Sequence, residues 1–510
     1  MSKIESIIKL ESWIDSYLNF EKTPKKNIFW LDTMRFFCEK FGHPENFAPC
    51  FHVAGSKGKG SVSTFIASIL DEAGYKTGLY TSPHILDFIE RVSSAHGSFS
   101  DEVYDRAVEE IMSGVKAIHT EELPGERPIT WFELVTLFAF LTFRQAKVDY
   151  SVYEVGLGGR LDSTNVISPL CSVITPIELE HTEFLGDTIE KIAHEKGGII
   201  KENTPVVIAR QQPTVRAVFE KIAEEKHAPV IFAEDAIQDL HFEIKNISWC
   251  IKNNTKITNG NSDFNNKCIK YNTYSQNSDN FSLMSVSFSS KIFSRSIKTT
   301  LQLLGKFQAE NASLAALAVK TVLPTVSEET IEQGLSKAKL PARFEILRNP
   351  LNSSDKKSLA ENERSEKNLP SKKSLIVLDG AHTVNSVTFT MQTFRQVFGE
   401  KNASQNKRIL LFACAADKDA KDIAPLFKHE FDSVFLTKPG NVKQSDLAAL
   451  AQAFCAAEID YDMNEDFAAQ IQKAIKKASD ENAILLVTGS FYLIAEVKKL
   501  LLNVHSWNAL

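Results

Sequence analysis

The chain has no two cysteines spaced as C-x-x-C: its seven, Cys38, Cys50, Cys171, Cys250, Cys268, Cys414 and Cys455, are scattered and odd in number. That spacing excludes the common zinc and dithiol patterns and points to a reducing cytosol. Also missing is any uncharged apolar run near the roughly 18 residues of a membrane span. The opening segment MSKIESIIKLESWIDSYLNFEK mixes acids and bases through its apolar positions, unlike a targeting peptide. A cytoplasmic protein without a membrane partner is expected. Charge of one sign is scarce as well. With 58 Lys and Arg against 64 Asp and Glu, the net charge of -6 makes no field for a polyanion, so no nucleic-acid partner is expected and any phosphate is bound locally. What the chain does have is apolar material, 43% of 510 residues, enough for large cores. At roughly 100–200 residues per domain, two or three domains are expected.

From about residue 27 to 235 short β-rich runs alternate with helical patterns, as a parallel sheet with crossover helices requires. The expected strands are Cys50–Ala54, Gly78–Thr81, Tyr150–Val155 and Cys171–Ile177. After Ser61, Val62, Phe65, Ile66, Ile69 and Leu70 recur at helical spacing, and Gly74 stands where that helix would stop. From Phe344 onward the alternation resumes in FEILR, SLIVLDGA, RILLFACAA, SVFLTK and AILLVTG, separated by helical stretches such as Asp466–Ala478. The fold class is therefore α/β, in two domains, 1–337 and 338–510. Two polar segments interrupt them, at about 253–282 and 350–373, and are read as exposed insertions. No internal repeat is apparent.

Residues Phe51–Ser61 read FHVAGSKGKGS: a strand, a loop of Gly55, Ser56, Lys57, Gly58, Lys59 and Gly60, then a helix. Glycines let backbone N–H groups approach phosphate oxygens, the helix N-terminus adds partial positive charge, and Lys59 would neutralise terminal phosphates. The general G-x-x-x-x-G-K-[ST] pattern needs a longer loop and a hydroxyl directly after its lysine. Here Gly60 follows and Ser61 is the nearest hydroxyl, so on pattern alone a flexible loop between strand and helix is the other reading. Glu154 ends the apolar strand before the turn GLGGRLDSTN. An acid at that edge could bind a nucleotide-bound Mg²⁺, or simply face solvent. His181, after the next strand, and Lys196, in HEKGGIIK, are by residue type alone ordinary surface groups.

The succession GSKGKGS, TSPHILDFIERV, ITWFELVT, VDYSVYEVGLGGRLDSTNV, ELEHTEFLGDTIEKIAHEKGGIIK, PARFE, LDGAH and VTGSFYL resembles the folylpolyglutamate synthase/dihydrofolate synthase family, kin to the Mur cell-wall ligases. The resemblance implies an N-terminal P-loop ATPase domain with a parallel sheet and a C-terminal Rossmann-like α/β domain. It implies an ATP-dependent ligase that adds L-glutamate to a reduced folate or to dihydropteroate through an acyl phosphate, acting as a monomer. Ser82, Glu154 and His181 match positions that hold Mg²⁺ in the family. Lys196 matches a lysine carbamylated there to bind a second Mg²⁺. Asn311, Arg343, Asp379 and His382 match positions used around ATP, the last three from the second domain.

The family's usual residues are replaced at several neighbouring positions: Thr-Asn of the loop by Ser56-Lys57, the Asp before the metal histidine by Glu180, and the His before Gln308 by Phe307. Gly of P-G-R-x-E is Ala342, and Asn-Pro after D-G-A-H is Thr383-Val384. Two other functions fit part of the pattern: an ATP-binding switch without ligase activity, and a Mur-type ligase of a cell-wall precursor. Glutamate-dependent phosphate release separates the first, and the TSPH and GLGGRLDSTNV segments argue against the second.

Overall fold

The apolar runs before Gly55, Val155 and Thr175 become neighbouring strands. Their side chains are buried on both faces, the environment in which a parallel strand reads as a continuous apolar run rather than an alternating one. The structure is a computed structural model that describes residues 5–19, 30–245, 284–352, 374–401 and 406–502. The insertion expected at 253–282 lies outside the described residues, as does that at 350–373 beyond the short turn Pro350–Asn352.

The chain divides into two units: Met1–Glu243 with Ser285–Gln302 and Lys306–Leu340, and Ile244–Met284 with Leu303–Gly305 and Pro341–Leu510. In the first, β1 (Cys50–Ala54), β2 (Thr77–Tyr80), β3 (Val92–Ser94), β4 (Tyr150–Glu154), β5 (Cys171–Ile174), β6 (Val206–Ile208) and β7 (Val230–Phe232) form one sheet in the order β3-β2-β4-β1-β5-β6-β7. All neighbours are parallel except β2 and β3. The chain leaves β1 for the half containing β2 and β4 and later crosses to the half beginning with β5. Loops after these strands therefore diverge around the carboxyl end of β1, where open α/β sheets form their ligand crevice.

The helix Lys59–Glu72 follows β1, and every residue from Ser61 to Leu70 is buried. It is enclosed all round rather than amphipathic, which explains the small residues Ser63, Thr64 and Ser68 between its apolar positions. A second helix, Glu328–Lys337, approaches so closely that a Cβ on Gly334 would lie 2.5 Å from Ile69 Cα, and Ser68 Oγ donates to Gly334 O at 2.6 Å. Gly74, at φ 88°, ends the helix where the sequence placed its stop.

A further sheet, β8 (Ile237–Ile244), β9 (Met284–Ser290) and β10 (Ile297–Leu301), in the order β10-β9-β8, was not expected from the sequence. Its strands interleave more and less covered positions, with Ser, Thr and Gln among the less covered, so no apolar run marked them. The second unit carries β11 (Glu345–Arg348), β12 (Leu375–Leu378), β13 (Arg408–Phe412), β14 (Ser433–Leu436), β15 (Asp462–Met463) and β16 (Ile484–Thr488), ordered β11-β12-β16-β13-β14-β15. Only β11 runs antiparallel, at the edge. Among the described residues no helix is long and apolar enough to cross a membrane.

Candidate active site

Between β1 and the helix Lys59–Glu72 the turn requires glycine at two points. Gly55 has φ 142°, and a Cβ there would fall 1.8 Å from Thr175 Oγ1; Gly58 has φ 91°, and its Cβ would fall 2.6 Å from Asn311 Oδ1. The loop is thus pressed between the end of β5 and the helix Lys306–Val322, which carries Asn311. The amides of Ser56 and Lys57 donate to Pro176 O at 3.0 and 3.4 Å, and the Ser56 hydroxyl donates to Glu178 O at 3.1 Å. Those groups fasten the loop to the chain. The first helical bond runs from Val62 N to Gly58 O, 2.9 Å, so the amides of Lys59, Gly60 and Ser61 are the first-turn donors suited to an anion.

Glu154 ends β4, immediately beside β1, and its Oε2 accepts the Ser82 N–H at 2.9 Å. The same carboxylate lies against the loop, since a Cβ on Gly60 would meet Oε2 at 3.5 Å. Lys59 Nζ donates to Gly55 O at 3.1 Å, and that carbonyl also accepts Lys196 Nζ at 2.7 Å. Lys196, in the last turn of the helix Ile189–Gly197 and only 2% exposed, pairs with Glu180 Oε1 at 3.0 Å. Glu180 Oε2 takes Lys57 Nζ at 3.4 Å.

Three ammonium groups therefore gather around one carboxylate and one carbonyl. Burial, reinforced by the charge of Lys59, lowers Lys196 to about 8 against the pull of Glu180. Burial pushes Glu180 upward, but Lys196, Lys59, Lys57 and His181 outweigh it and hold the acid at about 2. His181 is the next residue, exposed, and held at φ 49° in the left-handed region at the start of the short helix Thr182–Leu185. Lys59 and Lys196 thus share Gly55 O, Lys196 also meets Glu180, the residue before His181, and the Ser82–Glu154 pair lies against the same loop at Gly60.

The turn after Glu154 has its own internal brace. Asp162 accepts N–H bonds from Gly156 (3.1 Å), Leu157 (2.9 Å) and Thr164 (3.0 Å). Asn165 Nδ2 donates to Arg160 O and Gly198 O at 3.0 and 3.1 Å, tying the turn to the end of the helix that carries Lys196. A Cβ on Gly159 would lie 2.8 Å from Glu195 O, so the glycines of GLGG and EKGG allow two backbones to touch. Sequence reasoning assigned no role to Asp162, although an acid followed by Ser-Thr in a Gly-rich turn is a recognisable turn-closing pattern.

In the second unit Asp379 is buried and raised by that burial, although the Ala381 amide and the Arg343 charge oppose the shift. Its oxygens accept Phe344 N at 2.8 Å, Ala381 N at 2.9 Å and Thr390 Oγ1 at 3.0 Å. The carboxylate therefore brackets the PARFE turn against the LDGAH turn. Arg343 lies over the Phe491 ring, with Cζ 4.2 Å from its centroid, and His382 Nδ1 donates to Gly380 O at 2.8 Å.

The Mur ligase middle domain matches residues 53–319 and the Mur ligase glutamate ligase domain residues 364–491. A Bacillus subtilis dihydrofolate synthase/folylpolyglutamate synthase is 32% identical over 500 residues, spanning 96% of this chain and 97% of that relative. The chain belongs to the folylpolyglutamate synthase/dihydrofolate synthase family. Its fold is that of solved family members. A Mycobacterium tuberculosis folylpolyglutamate synthase complexed with ADP superposes with a TM-score of 0.75 at 24% identity, covering 98% of this chain and 99% of that one. An Escherichia coli FolC in complex with DHPP and ADP gives 0.71 at 24%, covering 99% and 100%.

Within this family framework two of the departures acquire structural reasons. Lys57 and Glu180, which replace the family's usual Asn and Asp, are ion-paired with each other. Thr383 caps the helix Val384–Phe398 through Ser386, so Thr-Val starts that helix without Asn-Pro. Ala342 stands at φ 60°, a conformation that glycine enters more easily. Phe307 precedes Gln308, which is 1% exposed and whose Nε2 has no hydrogen-bond partner among the described residues, while its Oε1 accepts Asn311 Nδ2 at 3.2 Å.

Proposed function

We propose that this chain is an ATP-dependent ligase that adds L-glutamate to reduced folates, and to dihydropteroate, through an acyl phosphate. The observation that carries the reading is the convergence of Lys57, Lys59 and Lys196 on Glu180 and Gly55 O beside the first turn of a helix. Three cations against one bridging acid favour a polyanion, and the amides of that turn add donors for its terminal phosphate. Residues 1–337 would form the ATP- and folate-binding domain and 338–510 the glutamate ligase domain. Gly55–Ser61 and Asn311 are assigned to the nucleotide on geometry and resemblance, and Arg343, Asp379 and His382 on resemblance.

An unactivated carboxylate does not acylate an amine. Transfer of the γ-phosphoryl group to the folate carboxylate makes a mixed anhydride and releases ADP; the amine of glutamate then attacks the acyl carbon and phosphate leaves. Lys59 and the amides of Lys59, Gly60 and Ser61 would stabilise charge spread over the phosphoryl oxygens, which is mainly positioning and electrostatics. Gly55 O fixes both Lys59 and Lys196, so the two ammonium groups approach from set directions. Glu154, anchored by the Ser82 amide and lying against Gly60, is the hard oxygen donor of the site.

These donors fit Mg²⁺, which takes one or two carboxylates and keeps water or phosphate oxygens elsewhere. Among the described residues no group of three or more His, Cys, Asp or Glu side chains could hold an ion, and Mg²⁺ needs none. Ser82, Glu154 and His181 would hold one ion, and a carbamylated Lys196 would serve a second, supplying Lewis-acid stabilisation of the phosphoryl oxygens. Lys196 at about 8 has a neutral fraction near neutral pH, the form that can add CO₂ and release a proton. The reading is tested by phosphate release with ATP, Mg²⁺ and glutamate, offering dihydropteroate and tetrahydrofolate separately. Release should require glutamate together with an acceptor; hydrolysis indifferent to glutamate would leave an ATP switch in its place.

A further inference from the structure

The VTGSFYL segment has so far no role in the site. After β16 the chain turns at Gly489, φ 103°, where a Cβ would fall 2.3 Å from Ala413 O, and Ser490 Oγ accepts the Tyr492 N–H at 3.1 Å. That turn opens the helix Phe491–Leu502 and delivers Phe491 to the LDGAH turn. The ring lies directly on Gly380, whose Cβ would be 1.9 Å from Phe491 Cε1. One face carries the Arg343 guanidinium at 4.2 Å, and His382 packs edge to face with a centroid distance of 5.8 Å and an interplanar angle of 67°.

The backbone closes the same circle. Gly380 N donates to Ala342 O at 3.0 Å, and Gly380 O accepts His382 Nδ1. From the same helix as Phe491, Lys498, only 3% exposed, pairs with Glu345 at 2.6 Å, while Glu345 Oε2 accepts Ala342 N at 2.9 Å. One helix therefore fixes both the turn that bears Arg343 and the guanidinium itself.

We infer that Phe491 is a positioning residue for nucleotide binding, a platform that holds Arg343 flat and His382 edge-on. The proposal rests on the assignment of Arg343 to the nucleotide. An arginine recruited from solvent loses rotamer freedom when it meets a phosphate, whereas one stacked on an aromatic face has lost it beforehand and gains cation–π attraction as well. Gly380 is what admits the ring: any side chain there would take its place.

The test is a double-mutant cycle on AMPPCP affinity in the full chain, using Phe491→Leu, Arg343→Ala and the combined variant, with thermal midpoints measured alongside. Phe491→Met replaces Phe491→Leu should that variant not fold. Phe491→Leu is expected to weaken the analogue about tenfold and to raise KM for ATP by more than it lowers kcat. Arg343→Ala should weaken binding at least as much, and the combined variant no further. An impaired Arg343→Ala beside a silent Phe491→Leu, or losses that simply multiply, overturns the platform alone. A silent Arg343→Ala overturns the nucleotide assignment of Arg343 and the platform with it.

Discussion

The two clusters of site residues are held in opposite ways. In the first unit Lys57, Lys59, Lys196 and Glu180 are set by charge, with ammonium groups outnumbering the acid that joins them. In the second, Arg343, Asp379 and His382 are set by an aromatic face and by hydrogen bonds, with the one buried acid engaged by Phe344, Ala381 and Thr390. Charge imbalance suits a centre that must receive a polyanion and respond to it. Stacking suits a group that must already be in place. Substitutions in the first cluster should therefore act on chemistry and pH dependence, and those in the second on affinity or on nothing.

The sharpest break is Lys59→Ala. It removes the cation tethered to Gly55 O from the first turn of the helix, and turnover should fall about a hundredfold to a thousandfold. Activity near wild type would remove the phosphate loop from the mechanism. Next is Lys196→Ala, expected to cost about a hundredfold and to be partly restored by a short carboxylic acid, because the carbamate is a carboxylate in all but its tether. Failure of every small acid, with the variant folded, would count against the carbamate while leaving the loop intact.

Glu180→Gln probes the charge balance through stability. The acid sits at about 2 in the folded chain against the ordinary glutamate value of 4.5, so its contribution is fully present above pH 4.5 and is lost as pH falls towards 2. At near-neutral pH the variant should be less stable by about 3 kcal/mol, and the gap should close on acidification below pH 4.5. Denaturant midpoints measured from pH 3 to pH 7 decide it; two parallel curves would mean that the lysines do not depress this acid.

How much of this was readable in the chain depends on whether the cause is local. β1, β4, β5, β12, β13 and β16 announced themselves as buried parallel strands because burial on both faces leaves mostly apolar residues. β6 and β7, three residues each, and the half-exposed β8 to β10 carried no such run. The loop glycines, Lys59 and Glu154 lay at legible strand ends. Lys196 became a candidate only through resemblance, since its meeting with Gly55 O spans 141 positions. Glu180 and Lys57 were visible merely as two separate departures; that each answers the other is a fact of folding. Phe491 likewise read as one residue of a motif, because nothing near it in sequence mentions Arg343.

The smallest expected effect separates the two clusters most cleanly. Ala342 occupies φ 60° with its side chain buried, where the family's usual residue is glycine. Reverting Ala342→Gly relieves a left-handed cost of roughly 1–2 kcal/mol. It also removes a buried methyl group worth about 0.8 kcal/mol and restores freedom to the unfolded chain worth about 0.5–1 kcal/mol. These nearly cancel, so the denaturant midpoint should move by less than about 1 kcal/mol. All three backbone bonds of residue 342, from its N–H to Glu345 Oε2 and to its carbonyl from Gly380 N and Arg343 Nη1, survive the change, so Arg343 stays on its platform and the nucleotide affinity should stay within about twofold. A large loss of affinity without loss of stability would mean that the methyl group, and not the bonded turn, orients Arg343.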